Sequence, residues 1–444
     1  MKRAAAKLPA NRLGAAKPKR ALALAGPVDN RLPSFLRMAT DQLEPDSWND
    51  LTEVRKLVSN SYKPSRPVTD RHMFAGRIGV LTTLIQSIED HRMHAVIYGE
   101  RGIGKTSMMH ILAQAAQEAR YLCVYVSCGA NTSFSDVYRV LAAGIPLLFH
   151  QNFGPASERS ERGDTFADLL DQGPISVHVA GDLLAQVVGT RVILMLDEFD
   201  RSESKEFKRS VAELMKNLSD RSACVQLAIA GVAANLTELI AHIPSIQRNI
   251  LAIQVPRMTD DEIRSFIAKG EAATGMKFGD QARELIVATA AGMPHLASLL
   301  CHHASLLAID GGKLAIGIEE VARAMELALE ELKGRISKRS QLESAILMGR
   351  PMKLLVRLAD ALGPSTEDFT AHDIHMAFRT AQDGSRCAEL VESLSDEGVL
   401  LRRETDEWGV HYRFVEHGAV AYLRLLYSRA GAPGGARESR RVSA

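Results

Sequence analysis

Apolar positions along the chain fall into three successive regimes, each predicting a different kind of structure. Between residues 94 and 256, short apolar runs alternate with amphipathic stretches. Ala95 to Tyr98, Tyr121 to Val126, Val192 to Leu196, Val225 to Ala230 and Ile250 to Val255 read as strands. Several are too continuously apolar to have a solvent face. Strands buried on both faces and separated by helices mean βαβ units and a parallel sheet. The helices are expected over Ile78 to Ile88, after Gly104, over Phe134 to Phe149 and over Glu206 to Leu218. Residues 151 to 175 are polar and Gly/Pro-punctuated, which reads as an exposed loop or insertion.

From Thr259 the period is helical. Thr259-Asp260-Asp261-Glu262 is a capping box, and helices are expected over Asp280 to Ala291, Leu296 to Ile309 and Ile318 to Lys333. The last regime holds helical stretches at Met352 to Leu362, Ala371 to Arg379 and Arg386 to Asp396. Two alternating strands, Val399 to Arg403 and Val410 to Val415, follow around a turn. Three helices plus a hairpin make a winged helix. The expected organisation is a disordered basic tail (1–30), a helical linker without chemistry (31–69) and an α/β core (70–257). An all-α lid (258–337), a winged helix (338–428) and a disordered tail (429–444) complete it.

Composition changes this picture little. The chain has 444 residues and a formal net charge of +1, so no whole-molecule field draws it to nucleic acid or membrane. Five cysteines, odd in number and without a C-x-x-C, fit a reducing cytoplasm with neither disulfide framework nor zinc site. No run approaches the ~18 apolar residues of a membrane span. The amino terminus stands apart: Lys2, Arg3, Lys7, Arg12, Lys17, Lys19 and Arg20 precede the first acid, Asp29. Such an arm is either a solvated tail or a contact for nucleic acid phosphates.

The chemistry sits at two strand ends. After the first strand comes Gly99-Glu100-Arg101-Gly102-Ile103-Gly104-Lys105-Thr106-Ser107, then a helical pattern. Strand, glycine loop and helix are the context of a phosphate-binding G-x-x-x-x-G-K-[ST] loop. Glycines let successive N–H groups converge, and the helix start adds partial positive charge. Lys105 is expected on the outer phosphates and the Thr106 hydroxyl on Mg²⁺. The third strand ends in Asp197-Glu198, at the carboxyl edge where open α/β sheets bind ligands. Asp197 suits a Mg²⁺ water shell and Glu198 the polarisation of an attacking water.

These residues resemble an AAA+ ATPase. The Leu196-Asp197-Glu198-Phe199-Asp200 run and the winged helix resemble the origin-recognition and Cdc-type initiator group. The resemblance implies a P-loop NTPase core, ATP and Mg²⁺ as cofactors, hydrolysis, and assembly with itself or a related AAA+ partner. It puts Phe74 and Arg77 near the adenine, and Arg248 where AAA+ proteins carry an arginine finger for a neighbouring subunit. The sequence departs from that pattern at three points. The fourth strand runs into Gly231-Val232-Ala233-Ala234 with Asn235 beyond, where a polar sensor is usual. The lid reads Gly292-Met293-Pro294-His295 instead of bearing a sensing arginine, and this G-x-P resembles the signalling STAND branch. The second strand ends in Ser127, where initiator relatives often carry Asn. In the winged helix, Arg402, Arg403 and Arg413 are candidates for DNA backbone contact. The presumed recognition helix instead carries Glu389, Glu392, Asp396 and Glu397, which phosphate repels. The expected function is therefore an ATPase whose nucleotide state controls assembly and DNA engagement. A STAND-like signalling switch and an adaptor for a transposition or helicase-loading machine stay open.

Overall fold

The computed structural model describes residues 50–221, 223–233, 236–239, 248–362, 368–406, 409–416 and 418–431. The expected tail at 1–30, residues 31–49 of the linker, residues 432–444 of the second tail and Asn235 lie outside the described residues; residues 429–431, expected to open that tail, end a helix instead.

The chain begins with α1 (Asp50–Ser61) and α2 (Ile78–Glu89). The α/β core follows: β1 (His94–Tyr98), α3 (Lys105–Glu118), β2 (Leu122–Ser127) and α4 (Phe134–Ala143). Two short helices, α5 (Glu158–Glu161) and α6 (Val177–Leu184), precede β3 (Val192–Asp197). Then come α7 (Lys205–Asp220), β4 (Val225–Gly231), α8 (Leu236–Leu239) and β5 (Ile250–Gln254). All five strands are parallel, in the order β2-β3-β4-β1-β5. Every residue of β3 and β4 is buried, because helices cover both faces. Side chains alternate between the faces. Ala95 and Ile97 join Leu84, Met108 and Met109 on one side; Val96 and Leu194 join Tyr138, Phe166 and Phe207 on the other. This stacking aligns the carboxyl ends Tyr98, Ser127, Asp197, Gly231 and Gln254 along one edge.

Two expectations for the core need correction. The helix expected through Phe149 stops at Ala143, since Pro146 removes a helical donor three residues on. Gly144 there lies so close to β2 that a Cβ would meet Val124 Cγ1 at 2.4 Å. Residues 151–175 are largely exposed, as expected, but not a structureless loop. They contain α5 and a 3₁₀ turn (Phe166–Leu169) whose Phe166 is fully buried, and Thr165 bridges back to Pro146. Four-residue elements are too short to leave a period in the sequence.

The lid consists of α9 (Asp260–Thr274), β6 (Lys277–Phe278), α10 (Asp280–Ala290), α11 (Pro294–Asp310), β7 (Ala315–Ile316) and α12 (Ile318–Lys333). Its capping box forms as expected: Thr259 accepts from the Glu262 N–H, and the Glu262 carboxylate accepts from the Thr259 N–H. Beyond it lie α13 (Lys338–Ile346), α14 (Arg350–Leu362), β8 (Asp368–Phe369), α15 (Ala371–Met376) and α16 (Ala381–Glu397). The chain ends its described part with β9 (Leu401–Asp406), β10 (Gly409–Phe414) and α17 (Ala419–Gly431). The antiparallel sheet β8-β10-β9 lies beside α14, α15 and α16, the helices and hairpin that the expected winged helix calls for. One apolar core runs from Tyr62 after α1 through Phe266, Leu300 and Leu329 of the lid to Leu355, Val391 and Leu425. Helix α1 thus packs with the lid, about 200 residues downstream.

Candidate functional site

The phosphate loop is built by backbone sterics. Gly99, Gly102 and Gly104 have φ of 143°, 78° and 99°, values costly for other residues. Gly104 also caps α3, and the lid closes on it: a Cβ at Gly102 would meet His295 Cβ at 3.4 Å, and one at Gly104 would meet Pro294 Cγ at 3.8 Å. Lys105 is buried, its ammonium donating to the Gly99 and Glu100 carbonyls at 2.8 and 2.7 Å. Burial lowers its pKa to about 8, against the pull of Asp200 and Asp197.

Asp197 ends β3 almost fully buried, paired in register with Ser127. Tyr125 donates its hydroxyl to one Asp197 oxygen, and the Glu198 N–H donates to the other at 2.8 Å. Glu198 takes a left-handed conformation (φ 53°), strain of the kind that concentrates at functional sites. Its carboxylate accepts from Ser127 Oγ at 2.8 Å and Arg201 at 2.7 Å. Burial pushes the Glu198 carboxyl up, but those two hydrogen bonds and the Arg201 charge outweigh it and hold it below the usual range. Asp200 accepts from the Val232 N–H at 2.7 Å, tying this turn to the end of β4. Loop, Lys105, Thr106, Asp197, Glu198 and Asp200 face one cavity of about 370 Å³, with Pro294 and His295 of the lid on its far side.

The other expected residues divide between the rim of this cavity and places away from it. Phe74 is packed into the core against the sheet. Arg77 is buried beside the loop: its guanidinium donates to the Ile103 carbonyl, its N–H to Glu262 at 2.6 Å, and burial lowers it to about 10. Gly292 has a positive φ (78°), its carbonyl accepts from the Met258 N–H, and a Cβ there would strike Met258 O at 2.5 Å. Pro294 opens α11. Arg248 is exposed at the amino end of β5 and lines a different cavity with His91, Arg92 and Ser219. A five-residue strand rises roughly 15 Å, so the two sites are at opposite edges of the sheet. On the wing, Arg402 and Arg413 face each other across the hairpin, and Arg403 pairs with Glu392 of α16 at 3.4 Å.

Three groups escaped the sequence reading. Tyr125 holds Asp197, and only the β2–β3 register reveals it. Lys63 to Val68 line the cavity from a segment read as chemically silent. Arg257 grips Glu100 of the loop with two hydrogen bonds (2.7 and 3.3 Å) and approaches Asp360 of α14 at 3.8 Å; Asp360 in turn pairs with the buried Arg424 of α17.

No curated protein sequence matches the chain. Among solved structures, a Cdc6 protein from Pyrobaculum aerophilum superposes with a TM-score of 0.46 at 14% identity, covering 84% of this chain and 99% of that one. An ORC1 protein of Aeropyrum pernix solved with DNA gives 0.42 at 15% identity, over 86% and 97% of the two chains. The Thermotoga maritima RuvB branch migration motor gives 0.41 at 15%, over 80% and 96%. The family described as Novel STAND NTPase 1 matches residues 67–343, from the segment before α2 to α13, and so spans the phosphate loop, the Asp197-Glu198 turn and the G-x-P of the lid. With that match over more than half its length, a P-loop AAA+ core and a lid closing on the loop, the chain belongs to the Novel STAND NTPase 1 family.

Proposed function

We propose that the protein is a nucleotide-dependent switch that binds ATP with Mg²⁺ between core and lid and hydrolyses it slowly. The observation that carries this is the convergence of Lys105, Thr106 and Asp197 on one cavity capped by Pro294 and His295. The donor set fits the ligands: a glycine loop and lysine for phosphates, a hydroxyl and a buried carboxylate for a hard divalent cation. The cation supplies charge neutralisation at the phosphates when bound. Glu198 is the residue to orient a water, and Ser127 and Arg201 hold it at the cavity wall. Gly99, Glu100, Arg101, Gly102, Ile103, Gly104 and Ser107 shape the loop, while Gly292 and Pro294 carry the lid. Arg248 lies too far from this cavity to serve it, so its role is toward a second copy or a related partner.

Two variants test the reading. Mg·ATP at ~100 times Kd raises native stability by about 2.7 kcal/mol, and Lys105→Ala is expected to lose that thermal shift; an unchanged shift overturns the assignment. Glu198→Gln is expected to bind ATP and turn over about 10²–10⁴-fold more slowly. Equal turnover in both proteins removes Glu198 from the chemistry.

Between the readings of the winged helix, the surface charge favours docking of a protein over DNA. Exposed Glu389, Glu392, Asp396 and Glu397 line α16, and Arg403 is engaged by Glu392. Loss of a duplex DNA shift in the variant Arg402→Ala/Arg413→Ala would reverse that preference.

A further inference from the structure

Between α1 and α2 the chain crosses the nucleotide cavity as a strap fastened at both ends. At its start, Tyr62 is fully buried in the lid, its ring 5.7 Å from Phe266 and its hydroxyl donating to the Ile267 carbonyl at 3.2 Å. The fit has no slack, for a Cβ on Gly270 would lie 2.0 Å from the Tyr62 oxygen. At its end, the Val68 N–H donates to Ser107 Oγ at 2.9 Å, on the first turn of α3. The intervening residues line the cavity that also holds Lys105, Thr106 and Asp197.

The strap carries two cations in a turn. The Arg66 N–H donates to the Lys63 carbonyl at 3.3 Å, with Pro64 at the second position that favours such a turn. This brings Lys63 and Arg66 to the two ends of a β-turn, and Pro67 stiffens the exit. Neither side chain forms an ion pair among the described residues. Both residues line the same cavity, so two cations border one space, an arrangement that an anion there would stabilise. The lid offers little compensation for a polyanion: it lines the cavity with Phe266, Pro294, His295 and Ser298 and no arginine, and burial, with Arg335 nearby, lowers the His295 pKa.

We infer that Lys63 and Arg66 contact the phosphate chain of the bound nucleotide in cis, supplying the charge that the lid lacks. This rests on the reading of the cavity as a nucleotide site. A flexible linker cannot hold two side chains in place, but one anchored on Tyr62 and Ser107 can. The strap also joins lid to core, being anchored on Ile267 at one end and on Ser107 at the other.

The test is calorimetric titration of the full chain with Mg·ATP at low and high salt. Compared are the wild type, Lys63→Ala/Arg66→Ala and the charge-keeping Lys63→Arg/Arg66→Lys. Removing two charged donors is expected to weaken ATP binding about 10–100-fold and to flatten its salt dependence, because fewer screened contacts remain. The charge-keeping variant is expected to restore both. Wild-type affinity in the alanine variant overturns the inference. So does weakened affinity with wild-type salt dependence, which assigns the strap a packing role only. If the wild type binds no nucleotide while remaining folded, the cavity reading falls and this inference falls with it.

Discussion

His94 shows how a single residue ties stability to pH. It begins β1 and is almost fully buried; Nδ1 accepts from the Leu227 N–H at 2.9 Å, while Nε2 bonds to the Met215 carbonyl at 2.9 Å. A protonated ring has no acceptor to offer Leu227, and burial lowers its pKa to about 4. Between pH 6.5 and 4 the unfolded chain therefore binds a proton that the native protein refuses. The neutral ring's contribution is complete above pH 6.5 and is lost as pH falls, for a total of about 3 kcal/mol. Urea midpoints are expected to drop from pH 7.5 to pH 4.5, and His94→Gln to flatten that drop. An equal slope in both proteins assigns the acid sensitivity to other groups. Lys105 is the second residue of this kind: with a pKa of about 8, its charge is carried at neutral pH and fades above it.

At the scale of elements, the telling contact is α1 on α9. Their closeness depends on Gly270, since Tyr62 fills the space a side chain would need. Gly270→Ala is expected to destabilise the protein by about 1–3 kcal/mol, the usual cost of overpacking, read as a lower melting temperature. In a Tyr62→Ala background the same substitution should cost little, because its obstacle is gone. If the two changes are simply additive, the Tyr62–Gly270 contact is not what docks the helix. The hairpin, the capping box at Thr259 and the α12 boundaries were legible in the sequence because each rests on neighbours within a few positions. Helix α6 and the 3₁₀ turn at Phe166 were not, since their burial is decided by partners on α4 and α7.

Across the whole molecule, charge links the loop to the carboxyl-terminal helices α14 and α17. Glu100, Arg257, Asp360 and Arg424 form a continuous series in which Arg424 is 3% exposed and Asp360 stays partly in solvent. If the protein works as the proposed switch, this series offers one physical route between the cavity loop and the carboxyl-terminal helices α14 and α17. Assembly is the other whole-molecule question. An arginine finger from a neighbour can be worth about 10³–10⁵ in rate, and Arg248 sits on the edge opposite its own loop. Mixing Arg248→Ala with Lys105→Ala is expected to restore turnover, since one hybrid interface carries an intact loop and an intact arginine. Normal turnover by Arg248→Ala in a protein that stays monomeric with ATP removes the finger and leaves a monomeric switch.

The parallel sheet, the lid helices and the phosphate loop with its acidic partner were determined locally. Apolar runs too continuous for a solvent face demand cover on both sides, and glycines at fixed spacing before a lysine and a helix demand one backbone path. Lys63 and Arg66 could not be placed in this way. Nothing in Tyr62-Lys63-Pro64-Ser65-Arg66 marks it as part of a site, because its meaning comes from Phe266, Gly270 and Ser107, which hold it across the cavity. The same holds for Tyr125 and Arg257, whose partners lie 72 and 157 positions away. Backbone conformation follows from near neighbours, but a charge acquires its role from whatever the fold brings within a few ångströms of it.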